Sequence, residues 1–231
     1  MLKSAGFEKR FEEINLKAVN SALKAREETG YKDVIIAGSI SHRYPIADGD
    51  TKSNASIQVS KLELQEATEE MALLLTNNGC DIILLEMMYR PERMKIIFDI
   101  VKKLNIPIWV CFSCRKSDKG EILSLTDETV VPFSEMIAIS KEYNFDAWGI
   151  MHTSEDILGE CINMVKANFN RPILAYPDTG GWISPNWIFD SVIEPEKFKE
   201  KANGWFALGA QIIGGCCGTS PDHIRALATL K

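Results

Sequence analysis

Six short apolar runs punctuate this chain, and between them apolar residues recur every three or four positions. The runs are VIIAGSI (residues 34–40), DIILLEM (81–87), IPIWVCFS (106–113), AWGIMHT (147–153), RPILAYP (171–177) and AQIIGGCC (210–217). Near-continuous apolar runs of this length predict strands covered on both faces, as in a parallel sheet. The intervening spacing predicts helices over residues 59–78, 91–104, 132–143, 155–168 and 195–208. One further helix precedes the first strand (8–28) and one closes the chain (221–230). Ser220 followed by Pro221 predicts an N-cap and a first helical residue for the last helix.

Repeated strand–helix units predict an α/β fold with a parallel sheet. Two architectures compete, an open doubly wound sheet and a (β/α)8 barrel of TIM type, and both place chemistry at the carboxyl ends of the strands. No GxGxxG follows the first strand, which weakens the dinucleotide-binding version. A complete barrel has eight strands and about 250 residues. Six strands in 231 residues therefore predict a single TIM-barrel-like domain over residues 1–231 that lacks its first two strands.

The apolar fraction of 45% and the charged fraction of 25% are ordinary for a chain that buries a sizeable core. A net charge of -6 argues against nucleic acid or an anionic membrane as the main partner. No apolar run is long enough to span a bilayer. The opening MLKSAGFEKRFEE has no apolar core of a signal peptide, so the expectation is a cytoplasmic protein. Its six cysteines are then expected to be reduced, which ranks metal binding or catalysis above disulfides.

The predicted strands end in residues that are not core residues: Ser39, Ser41 and His42; Glu86; Ser113 and Cys114; His152 and Thr153; Tyr176, Asp178 and Thr179; Cys216 and Cys217. Neighbouring side chains on a regular strand point to opposite faces. For Cys216 and Cys217 to act together the backbone must leave the strand, and Gly214, Gly215 and Gly218 permit that. His152, Cys216 and Cys217 make a three-ligand set of the kind that holds a catalytic zinc with one position open. The plainer reading stays beside it: small cysteines in a tight bend and a hydrogen-bonded histidine. Cys111 and Cys114 are spaced as CxxC but lie along a strand rather than at a helix start, so they read as core, as do Cys80 and Cys161. Glu86, after four apolar residues, is expected to have a functional partner.

With these residues in place, the sequence resembles the homocysteine S-methyltransferase family over nearly its whole length from Gly6. IIAGSIS is similar to the family's AGSxGP strand, with His42 where proline is usual; GCDIILLEM to GvDllxxET; WVCFS to xxSFt; YPDTGGW to YPNSGe. The closest match is WFALGAQIIGGCCGTSPDHIRAL, which carries the GGCC signature. The resemblance implies a zinc-dependent barrel that moves a methyl group from a sulfonium or quaternary ammonium donor, such as S-methylmethionine, dimethylsulfoniopropionate or betaine, to homocysteine, giving methionine. It implies that Cys216 and Cys217 bind Zn2+, that His152 stands where the family's GvNCt segment has the third cysteine, and that Glu86 holds the homocysteine amino group. Ser39, Gly215 and Tyr176 complete the expected substrate contacts, and no catalytic residue is expected beyond the metal site. Tyr44, Tyr176, Trp182 and Trp187 are candidate walls for the cationic donor. The family's DGGMGT-like and TNTY-like front strands have no counterpart here. That leaves two alternatives open, a barrel that binds a partner or ligand without turnover and a methyltransferase for a different thiol. It also predicts a homo-oligomer that covers the open side.

Overall fold

The computed structural model describes residue 2 and residues 6–42, 46–47, 50–53, 59–126, 129–183, 186–188 and 192–230. Six strands form one sheet: β1 (Ala37–Ser41), β2 (Ile82–Met88), β3 (Ile108–Phe112), β4 (Ala147–Ser154), β5 (Ile173–Asp178) and β6 (Ile212–Ile213). Their order in the sheet is their order in the chain. A doubly wound sheet reverses its order at a switch point, whereas a barrel adds strands in sequence. The topology is therefore that of the barrel, with six of its strands and no pairing among the described residues that joins β6 back to β1. Among the described residues seven α-helices accompany the strands: α1 (Phe11–Thr29), α2 (Lys61–Asn77), α3 (Pro91–Val101), α4 (Phe133–Ser140), α5 (Leu158–Lys166), α6 (Pro195–Leu208) and α7 (Pro221–Leu227). Three short antiparallel ribbons lie outside the sheet, Ile46–Ala47 with Asp50–Ser53, Cys114–Lys116 with Ile122–Ser124, and Gly181–Ile183 with Asn186–Ile188. No described helix is long and apolar enough to cross a membrane.

The chain divides into two compact units, Met1–Leu85 with Glu92–Trp109, and Glu86–Pro91 with Val110–Lys231. In the first, α2 starts at a capping box in which Ser60 Oγ accepts from the Glu63 amide and Glu63 Oε2 accepts from the Ser60 amide at 2.9 Å. Here β1 begins three residues later than its apolar run suggests. The Val34 amide donates to the Tyr31 carbonyl, Asp81 Oδ2 takes the Ile36 amide at 2.7 Å, and Val34 and Ile35 are exposed. A turn that closes at Val34 and the side chain of the distant Asp81 thus take up the amides of residues 34 and 36 before β1 begins.

In the second unit β4 and β5 pair in parallel, Trp148 with Ile173 through Met151 with Tyr176, and β6 pairs with β5 at Ile212–Leu174 and Ile213–Ala175. Helix α5 buries Leu158, Cys161, Ile162 and Val165, an i, i+3, i+4, i+7 stripe that packs on β4 and β5. Trp148 is the centre of the core. Its ring stacks on Phe169 at 4.2 Å and on Phe112 at 5.8 Å between centroids, and it is 1% exposed. Helix α7 begins at Ser220, whose amide donates to His223 Nδ1 at 3.1 Å, while His223 Nε2 reaches the Ile193 carbonyl at 2.7 Å. Replacing Trp148 by alanine removes the partner of both rings. Chemical denaturation of Trp148→Ala is expected to show a loss of about 3–5 kcal/mol relative to the parent chain.

Candidate metal centre

β4 is not a regular strand. Met151 pairs with Tyr176 and Ser154 with Asp178, so three steps on β4 oppose two on β5. The extra residue is a β-bulge, a device that re-aims a side chain. His152 sits in it with φ 43°, in the left-handed region that few residues other than glycine occupy. The carbonyl of Met151, at the start of the bulge, accepts hydroxyl hydrogens from Ser113 at 3.0 Å and from Thr153 at 2.9 Å. Thr153 Oγ1 in turn accepts from the Cys114 amide at 2.9 Å. Ser113 and Thr153, both buried, brace the bulge that turns His152 out of the strand alternation.

The cysteine pair lies in the turn after β6, and hydrogen bonds stitch that turn to the end of β5. The Gly214 amide donates to the Ala175 carbonyl at 3.0 Å, Cys216 to Pro177 at 2.9 Å, and the Thr179 amide to the Cys217 carbonyl at 3.0 Å. Gly218 supplies the left-handed residue, at φ 83°, and a Cβ there would stand 2.8 Å from the Gly180 nitrogen and from Thr179 Oγ1. Gly215 has a different reason to be glycine: its Cβ would meet the Thr219 side chain at 2.3 Å. Its place in the turn is set by packing. The turn, not a strand, lets neighbouring cysteines face one partner.

That partner is His152. Nδ1 of His152 lies 3.8 Å from Cys216 Sγ and 3.8 Å from Cys217 Sγ, and the two sulfurs are 3.8 Å apart. All three residues are half-buried, and their ligand atoms form a cluster within 4.8 Å. A tetrahedral zinc, with bonds of about 2.3 Å to sulfur and about 2.0 Å to nitrogen, spaces its ligand atoms about 3.5–3.8 Å apart. The donor set and its dimensions therefore fit such an ion. Without a cation the cluster is unfavourable for thiolate: contact with Cys217, then burial, pushes the Cys216 thiol well above its ordinary range. Asp178 stands beside the cluster, its Oδ2 3.4 Å from His152 Nδ1. Burial is the largest influence on its carboxyl and raises it, against the Gly180 amide and His152, which lower it.

Glu86 and Tyr176 form a second group in the same unit. The Tyr176 hydroxyl donates to Glu86 Oε1 at 3.1 Å. Burial drives the Tyr176 phenol far above its ordinary range, with Cys111 and Glu86 adding to it. So the Tyr176 hydroxyl is a donor to Glu86, a contact between two expected substrate-binding residues that the sequence did not predict. Met87, next to Glu86, is the other described non-glycine residue with a left-handed φ, 53°. Tyr176 and Asp178 are two residues apart on β5 and so share its half-buried face.

The remaining expectations fall elsewhere. Ser39 belongs to the other unit, exposed on β1, where it lines a cavity of about 540 Å³ with His42, Thr68, Met71 and Arg93. Cys80, Cys111, Cys114 and Cys161 are buried free thiols, as core residues would be. Tyr44 lies outside the described residues, as do the side chains of Trp182 and Trp187. Sequence reasoning missed the bracing by Ser113 and Thr153 and the place of Asp178. Their position at strand ends was the only signal.

Known proteins resemble this chain over most of its length. The family profile described as homocysteine S-methyltransferase matches residues 1–230. Homocysteine S-methyltransferase 1 of Arabidopsis thaliana is 25% identical over 94% of this chain and 70% of its own length. Selenocysteine methyltransferase of Astragalus bisulcatus is 24% identical over 85% of the chain and 58% of its own length. Homocysteine S-methyltransferase YbgG of Bacillus subtilis is 27% identical over 84% and 60%. The chain thus spans between 58% and 70% of these relatives. The metallated form of the homocysteine methyltransferase MmuM from Escherichia coli superposes with a TM-score of 0.73 at 21% identity, over 98% of this chain and 73% of that one, a likeness of fold.

Alanine at position 218 has to adopt a left-handed backbone and also displace the 179–180 turn. Gly218→Ala is expected to lower stability by more than about 1 kcal/mol in denaturant unfolding.

Proposed function

Because this chain belongs to the homocysteine S-methyltransferase family, we propose that it transfers a methyl group from a cationic sulfonium or quaternary ammonium donor to the thiol of homocysteine, with zinc held by His152, Cys216 and Cys217. The observation that carries this reading is the triangle of one imidazole nitrogen and two sulfurs with 3.8 Å edges. It is the donor set and size that zinc takes, with a fourth direction left for a thiol.

The chemical difficulty is nucleophilicity. A free thiol has a pKa of about 8.5, so little thiolate exists at neutral pH. When bound, zinc supplies a Lewis acid that keeps a coordinated thiol deprotonated. The rest falls to the residues of the chain. The bulge holds the His152 ring toward the sulfurs, and the turn after β6 holds Cys216 and Cys217 as a pair. Glu86 offers a carboxylate to the substrate ammonium, a charge-assisted contact. Tyr176 keeps one Glu86 oxygen oriented through its hydroxyl. Imidazole in place of a third thiolate leaves the site one negative charge poorer, which binds an incoming thiol more firmly and makes it less nucleophilic. The same reading includes a reducing compartment, suited to six free cysteines, and self-association at the unpaired ends of the sheet order.

Purified chain is expected to carry about one zinc per molecule by elemental analysis and to form methionine from homocysteine with one of S-methylmethionine, dimethylsulfoniopropionate or betaine. Cys217→Ser should lose the metal. Full occupancy in that variant, or no methionine from any donor, would remove the reading. Glu86→Gln is expected to raise KM for homocysteine about 10- to 100-fold, the range for losing one charged hydrogen bond, with kcat much less affected. Steady-state kinetics separates the two.

A further inference from the structure

Two described residues other than glycine hold a left-handed backbone, Met87 at φ 53° and His152 at φ 43°. Such strain persists only where the surrounding structure holds it, and it gathers at functional sites. Met87 follows Glu86 at the end of β2, and His152 is the histidine of the metal cluster. One residue bonds the main chain beside both. The Ser113 amide donates to the Met88 carbonyl at 3.4 Å, and Ser113 Oγ donates to the Met151 carbonyl at 3.0 Å. Ser113 is fully buried, and its own carbonyl accepts the Leu125 amide at 3.0 Å. A second tie runs alongside. Tyr176 lies opposite Met151 in the pairing of β4 with β5, and its hydroxyl donates to Glu86 Oε1 at 3.1 Å. The Glu86 carboxylate and the His152 imidazole thus belong to one closed frame, with Ser113 on one side and Tyr176 on the other.

We propose that Ser113 is a positioning residue that fixes the span from Glu86 to the metal centre, and that this span selects the length of the amino-acid thiol. The inference rests on the function proposed above and deepens it, naming the substrate class as an α-amino acid with its thiol on the γ-carbon. Such a substrate has to reach two fixed points: its sulfur meets the metal and its ammonium meets Glu86. Cysteine is one methylene shorter than homocysteine and cannot make both contacts fully in a frame that does not yield. Either strand end alone has a way to yield, because a residue with a Cβ leaves the left-handed region readily. Ser113 ties both ends, so a shift at either one breaks a hydrogen bond in a buried place, where an unsatisfied group is costly. Thr153 works on the same point. Its hydroxyl donates to the Met151 carbonyl at 2.9 Å and accepts the amide of Cys114, the neighbour of Ser113, at 2.9 Å.

The test uses the full chain with Co2+ in place of zinc. Dissociation constants for homocysteine, cysteine and 2-mercaptoethanol are read from the thiolate–cobalt absorption. The parent is expected to bind homocysteine about 10- to 200-fold more tightly than cysteine, the range for one methylene. Ser113→Ala should cut that ratio by about 3- to 10-fold, the worth of one hydrogen bond, while 2-mercaptoethanol, which has no ammonium, binds as it does to the parent. Thr153→Val should cut the ratio as well, and Thr153→Ser, which keeps the hydroxyl, should restore it. A purely structural loss lowers the melting temperature and leaves the ratio alone. The Thr153 pair carries the measurement should Ser113→Ala misfold. A parent that binds both amino acids equally, or a ratio unchanged in Ser113→Ala and Thr153→Val, overturns the proposal while the metal reading stands. A parent that binds no Co2+ overturns both. A parent that shows the selectivity, loses it in Ser113→Ala and forms no methionine leaves the proposal standing and removes only methyl transfer.

Discussion

The extra residue in β4 is the constraint on which the site depends. A regular strand would send His152 and its neighbours alternately to opposite faces. The bulge breaks that alternation at one position, where the imidazole can meet the turn after β6. It has a cost. A left-handed conformation at a residue with a Cβ costs about 1–2 kcal/mol, and the bulge starts at the Met151 carbonyl. Two hydroxyls, from Ser113 and Thr153, bond that carbonyl, and each such bond contributes about 0.5–1.5 kcal/mol. The two effects are of the same size, so the bulge persists as a braced feature of the fold.

The cysteine turn completes the site on the same logic. Adjacent residues can share a partner only where the chain turns, and here main-chain bonds to Ala175, Pro177 and Thr179 fasten the turn to the end of β5. Two thiols and an imidazole nitrogen within 4 Å of one another are costly to ionise with no cation between them, as the raised Cys216 thiol records. Binding of a cation to such a cluster is linked to its folding and releases protons from the thiols. The arrangement is thus stable in its ionised form only around positive charge.

Much of this was legible from residue patterns. The apolar runs located all six strands, and the three- and four-residue spacing located the helices, because burial on both faces of a parallel sheet leaves a strong period. Ser220 and Pro221 marked the start of α7. His152, Cys216 and Cys217 stood out because each ends an apolar run in a residue that binds metal. Other features were not legible. The start of β1 moved to Ala37 because Asp81, more than forty positions away, takes the Ile36 amide. Of the three glycines around the cysteines, only Gly218 needs a left-handed backbone, and Gly215 is glycine because of the Thr219 side chain. Nor does any local pattern show that the Tyr176 hydroxyl bonds Glu86, ninety positions away.

Sequence alone determined the strand and helix periods, the parallel α/β class and the residue types available to a metal, because these depend on local composition and spacing. Tertiary structure alone decided that β4 carries one residue more than β5 opposes, and that a histidine sixty-four positions before Cys216 lies 3.8 Å from both sulfurs. It also decided that Asp178 Oδ2 lies 3.4 Å from the same imidazole nitrogen. Register and convergence arise from pairing between distant segments, and no local pattern of residues records which segments will meet.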